Sequence, residues 1–411
     1  MKGDLAMSSC VARQPIFDEK LRIYGYELLF RDTSESVEFN AVDGSRATSE
    51  TISHSFHDIG IERVTGGKRA FVNFTEKLLL QGVATILTNR ILVVEVLETV
   101  EPTPEVIHAC EMLRKEGYLV ALDDFILEPK YYPLLAVADI IKVDFLATPY
   151  EKIKIFAHSM RNKRVILLAE KLETQEDFDK AKELGFKLFQ GYFFAKPVIL
   201  KNKQPSLTPM KINSLRLIRL ANDINVDFRK IADIIKQDVA LSYRLLRVVN
   251  SAFFGLRYTV KNIRQALAIL GMEEIKKWVT LVSLAEMSDS KPDELVTMAL
   301  IRARLMEKMA EHVGLKKQSD DMFMVGLLSL MDVLMDLSME DIAKRTNIAE
   351  HIYMPLVTGE GTYAEILSII VHYERSEWDT CFEMAKKYNL TAVQLHNMYI
   401  EAIEWSHCLG R

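Results

Sequence analysis

The chain has 411 residues, 49% of them hydrophobic and 27% charged, and a net charge of −5. That length suits two domains, and the acidic balance excludes sequence-independent binding to nucleic acid, which needs a basic face. No apolar run approaches the roughly 20 residues that cross a bilayer, and the amino end carries no export signal. Cys10, Cys110, Cys381 and Cys408 form no CxxC pair, as expected of reduced thiols in a cytoplasmic protein without a zinc site.

In chain order, residues 1–9 read as a loose start. Val11 to Phe17, apolar but interrupted by Arg13, Gln14 and Pro15, supplies an edge strand before the main sheet. Ile23 to Arg31 is an apolar strand carrying Glu27, with Arg31 at its end. Glu38 to Gly60 reads as a helix. It contains His57-Asp58, a pair of the kind that binds metal in HD phosphohydrolases, but no helical array of further His and Asp ligands follows. A helix end with a capping glycine is the preferred reading.

From there a pattern repeats: a short apolar run followed by a polar residue. Arg69–Val72 leads to Asn73, Ile91–Val94 to Glu95, and Tyr118–Leu122 to Asp123 and Asp124. Ile140-Ile141 leads to Lys142, Arg164–Ala169 to Glu170, and Phe186–Phe189 to Gln190. Helices are read between the runs, among them Glu101–Gly117, opened by Pro102 and Pro104, and Thr174–Gly185. Such runs are buried parallel strands, and the stretches between them are crossover helices. Closed into a barrel, they gather functional side chains at the carboxyl ends of the strands. Several carboxylates on one rim repel each other unless cations sit among them, so divalent metal is favoured over scattered surface acids. Adjacent strand residues point to opposite faces. Asp123 and Asp124 can therefore share a site only if the chain bends there.

Lys201 to Pro209 is polar, basic and proline-bearing, the profile of an interdomain linker. Helical periodicity then takes over: Ile231, Ile234 and Ile235, then Leu241, Leu245 and Val249, follow the spacing of buried helix faces. Helices are read at 239–249, capped by Asp238, and at 263–270, 272–285, 293–312, 321–334, 339–347, 364–376, 378–387 and 391–405. His312, His351, His372, His396 and His407 stand singly and read as ordinary surface or core histidines. Met322, Met324, Met331 and Met335 read as core filler. The expected architecture is α/β plus all-α: a TIM-like barrel over 1–203 followed by an all-helical domain over 204–411.

These motifs together resemble bacterial EAL–HDOD signalling proteins over nearly the whole chain. The EAL signature E-A-L-x-R is matched by Glu27-Leu28-Leu29-Phe30-Arg31. Its later motifs are matched by Asn73, Glu95-Val96-Leu97-Glu98, Asp123-Asp124-Phe125, Lys142-Val143-Asp144, Ala169-Glu170-Lys171-Leu172-Glu173 and Gln190-Gly191-Tyr192-Phe193. The resemblance implies a barrel that opens cyclic di-GMP to linear pGpG with two magnesium or manganese ions. Glu27, Asn73, Glu95, Asp123, Asp124 and Glu170 would be the metal ligands. Lys142 would position and activate the attacking water, with Gln190 assisting and Glu27 and Glu170 counted in the catalytic set. Arg31 would hold a substrate phosphate, and Gln190 also faces the substrate.

Two departures shape the expectation. Family members with activity continue from the aspartate pair as D-D-F-G-T-G, a glycine-rich loop that shapes the metal site. Here the chain reads Ile126-Leu127-Glu128-Pro129 after Phe125. Conformations open only to glycine are thereby lost, and Glu173, which braces that loop in the family, has less to brace. Hydrolysis is therefore expected to be weak or conditional. The alternative is an inactive EAL domain serving as a cyclic di-GMP receptor, or as a docking scaffold through HDOD. A lysine or arginine filling the cavity meant for the ions would remove the catalytic account and leave only a two-module docking protein.

In the helical half, Gln237 to Ser251 matches the HDOD pattern D-P-x-L-x-x-x-L-L-x-x-x-N-S, with Val239 for proline. Gln265–Gly271 matches the following Q-A-I-x-x-L-G. At Gly326–Leu330, Ser329 and Leu330 stand where HD hydrolases place a metal-binding His-Asp pair, and neither can replace such a ligand. The resemblance implies a module that docks an unidentified protein partner, and it leaves room for a homodimer.

Overall fold

The computed structural model describes residues 9–32, 60–125, 129–195, 209–223, 260–287 and 291–410, with single positions between 231 and 249. The expected helix over 38–59, the His57-Asp58 pair, Ile126–Glu128, the linker up to 208 and most of the 237–251 motif lie outside the described residues. Two compact units form: Met1–Lys196 with Val371–Glu404, and Pro197–Ile370 with Trp405–Arg411. The expected division between 203 and 204 follows the chain, whereas packing returns Val371–Glu404 to the first unit.

The first unit is built on a closed eight-stranded barrel. Its strands are β1 (Ser9–Asp18), β2 (Ile23–Asp32), β3 (Arg69–Phe74), β4 (Leu92–Val96), β5 (Leu119–Leu122), β6 (Ile140–Asp144), β7 (Ile166–Leu172) and β8 (Leu188–Gly191). From β2 to β8 all neighbours pair in parallel, and the strands are runs of Val, Ile, Leu, Ala and Phe buried on both faces. The first strand corrects an expectation. It is no edge strand, because it pairs antiparallel with both β2 and β8 and closes the barrel. A sheet closed in this way has no exposed ladder of unpaired backbone groups.

Helices cross between the strands where caps allow. Pro104–Lys115 starts from Thr103, whose hydroxyl accepts from Val106 N–H. Gln175–Glu183 starts from a capping box between Thr174 and Asp177. A short helix, Ile61–Thr65, starts after Gly60 and closes at Gly66.

Inside the barrel, Ile16, Phe71, Val93, Ala121, Ile140, Leu168 and Leu188 form one apolar layer. Gly25 makes room for it, since a Cβ there would meet Phe71 at 3.0 Å and the Arg69 carbonyl at 2.8 Å. Val371–Glu404 is held against β1 by buried polar contacts. The Tyr373 hydroxyl lies 3.0 Å from Val11 O and 3.1 Å from His396 Nδ1, and Val11 N–H donates to that same nitrogen at 3.3 Å.

The second unit is helical: Pro209–Ala221, Ile263–Met287, Asp293–His312, Ser319–Leu328, Met331–Met335, Met339–Thr346, Glu350–Thr358 and the start of Thr362–Glu374. Gly271 breaks the second of these with φ 75°, as the reading of two helices there anticipated. The expected helix 321–334 is instead broken at Ser329-Leu330. Helices 209–221 and 350–358 were not anticipated, the latter because Pro355 lies inside it. Met322, Met324, Met331 and Met335 are buried. Among the described residues no helix is long and apolar enough to cross a membrane.

Candidate functional site

The polar residues converge for a geometric reason. Side chains alternate across a strand, so a residue two places beyond an interior one also points inward, one layer higher. Phe71 is followed in this way by Asn73, Val93 by Glu95, Ala121 by Asp123, Ile140 by Lys142, Leu168 by Glu170 and Leu188 by Gln190. Strand β1 runs the other way, so Ile16 is preceded by Gln14. The apolar layer therefore forms the floor of a polar one at the carboxyl ends of the strands. A cavity of about 540 Å³ opens above it, lined among others by Glu27, Asn73, Asp123, Asp124, Glu170 and Gln190.

Lys142 is at the centre. Its Nζ lies 2.7 Å from Asp123, 2.7 Å from Glu170, 2.8 Å from Glu95 and 3.4 Å from Glu27. Its side chain is 1% exposed. This lysine stands between the acids and weighs against an ion in that same place, but it does not fill the cavity, of which about 540 Å³ stays open. One ammonium among four carboxylates nevertheless leaves negative charge uncompensated. Burial pushes Glu95 well above the usual carboxylate range, against the pull of Lys142. Burial likewise pushes Glu170 up to about 8, again opposed by Lys142. Burial would lower Lys142 itself, but Glu170, Glu27, Glu95 and Asp123 outweigh it and hold the ammonium well above its ordinary value.

Several oxygens here have no hydrogen-bond donor: Asn73 Oδ1, Glu95 Oε2, Asp124 Oδ1 and Glu170 Oε2. Ligand oxygens of Glu27, Glu95 and Asp123 lie within 4.8 Å of one another. Buried acceptors without donors are costly unless something else meets them. Hard carboxylate and amide oxygens suit magnesium or manganese, so the residues present fit such ions.

The chain bends where both aspartates must share the site. Strand β5 ends at Leu122, and Asp124 takes φ 39°. Lys171, also in the left-handed region, bonds Asp144 at 2.6 Å and Asp124 at 3.2 Å. Burial works against the Asp144 charge, but Lys171 and the N–H groups of Leu146 and Ala147 hold its carboxyl below the usual range. Gly191, with φ 140°, is required next door, because a Cβ would stand 2.2 Å from the Leu172 carbonyl.

Two contacts bear on the expected roles of Gln190 and Arg31. Gln190 Nε2 donates to Glu27 Oε2 at 2.6 Å and to Gln14 at 3.2 Å, so it orients Glu27. Arg31 is paired with Asp379 at 2.9 Å and is not among the residues lining the cavity. Sequence reasoning missed Gln14 as a site residue, though a polar residue inside an apolar run was its signal. It also missed Arg375 and Glu377, which line the cavity from the far end of the chain and carry no local signal.

The EAL domain family matches residues 61–197 and the HDOD domain family residues 207–354. The Bacillus subtilis protein YuxH is 34% identical, over 97% of this chain and 98% of its own. The Vibrio cholerae cyclic di-GMP phosphodiesterase CdgJ is 33% identical, over 99% of this chain and 94% of its own. The chain belongs to the EAL–HDOD family. Among solved structures, Klebsiella pneumoniae BlrP1 with calcium and cyclic di-GMP is 22% identical, covering 48% of this chain and 58% of that one at TM-score 0.38. An EAL domain protein of Listeria monocytogenes is 20% identical, covering 46% and 87% at TM-score 0.38.

The HDOD half of this EAL–HDOD chain uses its altered pair structurally. Ser329 Oγ donates to the Gly326 carbonyl at 2.7 Å and accepts from Arg302 at 3.2 Å, closing a helix end. Leu330 is buried. Gly326 itself lets two helices touch, since a Cβ there would lie 2.6 Å from Ala303 N and the Arg302 carbonyl.

Proposed function

We propose that this EAL–HDOD chain works in cyclic di-GMP signalling, and that its barrel cavity binds the dinucleotide and opens it to linear pGpG in a weak or conditional way. The observation carrying this reading is the ring of buried oxygens without donors on Asn73, Glu95, Asp124 and Glu170 at the carboxyl ends of the strands. The relationship to CdgJ over the whole chain supports the substrate.

Glu27, Asn73, Glu95, Asp123, Asp124 and Glu170 would hold two magnesium or manganese ions. When bound, such ions would make water more acidic and would screen phosphate charge. Lys142 remains an ammonium and donates toward the attacking oxygen, adding positive charge where the transition state gains negative charge. Gln190 is a positioning residue for Glu27. Arg31 would reach a phosphate only by leaving Asp379. Activity is held low because the chain after Phe125 lacks the glycines of the active family pattern. The HDOD half, without metal ligands at Ser329 and Leu330, serves to dock a protein partner, and a homodimer fits the same role.

One observation favours a second reading, a receptor that binds without turnover: Lys142 already contacts four of the carboxylates. A turnover assay with cyclic di-GMP and magnesium or manganese, with Glu27→Ala alongside, separates the two. Cleavage to pGpG that Glu27→Ala abolishes supports the hydrolase. Binding without cleavage leaves the receptor, and neither binding nor cleavage removes both.

A further inference from the structure

The cavity has a wall that neither domain family covers. Residues 355–411 lie beyond both matched ranges, yet Arg375 and Glu377 line the cavity together with the acidic floor. They sit on the turn between helices Thr362–Glu374 and Trp378–Lys386.

The turn is fixed against the barrel. Tyr192 OH donates to the Glu374 carbonyl at 3.1 Å. Ser376 takes φ 59°, and Glu377 N–H donates to His372 O at 2.9 Å, closing the helix end. Tyr373, one residue inside, is fully buried against Val11 and His396. From this anchored turn the Arg375 guanidinium lies 4.9 Å from the Tyr192 ring centroid, and Tyr192 is itself a cavity residue. Arg375 makes no ion pair among the described residues. Arg31, meanwhile, is engaged by Asp379 on the neighbouring helix. The same C-terminal segment thus occupies one arginine and presents another.

Taking the barrel cavity as a cyclic di-GMP site, we propose that Arg375 is a binding residue of that site, making the phosphate contact expected of Arg31. A guanidinium stacked on an aromatic ring keeps its N–H fork free to grip a phosphate edge. It lines the same cavity as the carboxylate floor, so a bound dinucleotide would have its phosphate charge met by the guanidinium as well as by ions held at that floor. The substrate site is then built from the barrel and the C-terminal helices together.

Titration calorimetry of the full chain with cyclic di-GMP and calcium tests this. R375M should weaken dinucleotide binding roughly tenfold or more, the loss of one charge-assisted contact, while binding of calcium alone is unchanged. Wild-type affinity in R375M would overturn the proposal and leave the cavity reading intact. Failure of the wild-type chain to bind cyclic di-GMP would overturn both. Should R375M also melt at a lower temperature, R375K decides, since it keeps the stem and the charge. An affinity between those of R375M and wild type, the point charge kept and the planar fork lost, supports the phosphate contact, and affinity no better than that of R375M overturns it.

Discussion

The barrel rim and the helical unit treat their polar groups in opposite ways. At the rim, carboxylate and amide oxygens of Asn73, Glu95, Asp124 and Glu170 are buried without a donor. In the helical unit, the position that HD hydrolases give to metal ligands is fully engaged locally, with Ser329 bonded to Gly326 and Arg302. Polar atoms left without partners there include Trp278 Nε1 and the hydroxyls of Thr280 and Ser283, and no carboxylate among the described residues. Cations need oxygen acceptors held together, and among the described residues Glu27, Glu95 and Asp123 at the rim bring theirs within 4.8 Å of one another. A polar group that has lost its ligand role is kept where it can satisfy the backbone instead.

Lys142→Met should break the comparison most severely. Removing the ammonium leaves Glu27, Glu95, Asp123 and Glu170 crowded and buried without it. A loss of about 3–5 kcal/mol is expected, the scale for removing one partner of a buried ion pair. Chemical denaturation measures it, and added magnesium or manganese should recover much of the loss. Recovery by potassium to the same extent would mean that the rim is not a divalent site.

His396 sharpens the comparison from the other side, as a buried polar group in the barrel unit but away from the cavity. Burial lowers it to about 4 from an ordinary 6.5. Between those pH values the unfolded chain binds a proton that the folded chain refuses. Stability is therefore complete above about pH 6.5 and falls as pH drops toward 4, by up to about 3 kcal/mol. His396→Gln should flatten that part of the pH–stability curve, and an unchanged slope would assign the loss to other groups. Ser329→Ala is the mildest test: about 1 kcal/mol of stability should be lost, the worth of a helix-end hydrogen bond, with no change in cation binding.

Much of the barrel was legible because each strand announces itself by a run of apolar residues ending in a polar one. The two-residue step from Phe71 to Asn73, or from Leu168 to Glu170, is fixed by the pleat and needs no tertiary information. The part played by β1 was not legible. Whether a strand is an edge or a closure depends on which strand meets it from the other side, and here that is β8. The helix over 350–358 was hidden by Pro355, whose local cost the surrounding packing outweighs.

By itself, then, the order of side chains along each strand determined which groups would share the rim, since alternation is a local property of the backbone. The sequence also determined that the HD-type ligands were replaced, because a hydroxyl and an isobutyl group are read directly. Only the tertiary structure decided that Lys142 stands among the four acids and that Gln190 serves Glu27. It also decided that Arg31 turns to Asp379 while Arg375 enters the cavity. Those contacts join residues far apart in the chain: closure of the barrel brings Lys142 and Gln190 to the acids, and the packing of Tyr373 and His396 against the first strand places the segment that carries Arg375 and Asp379.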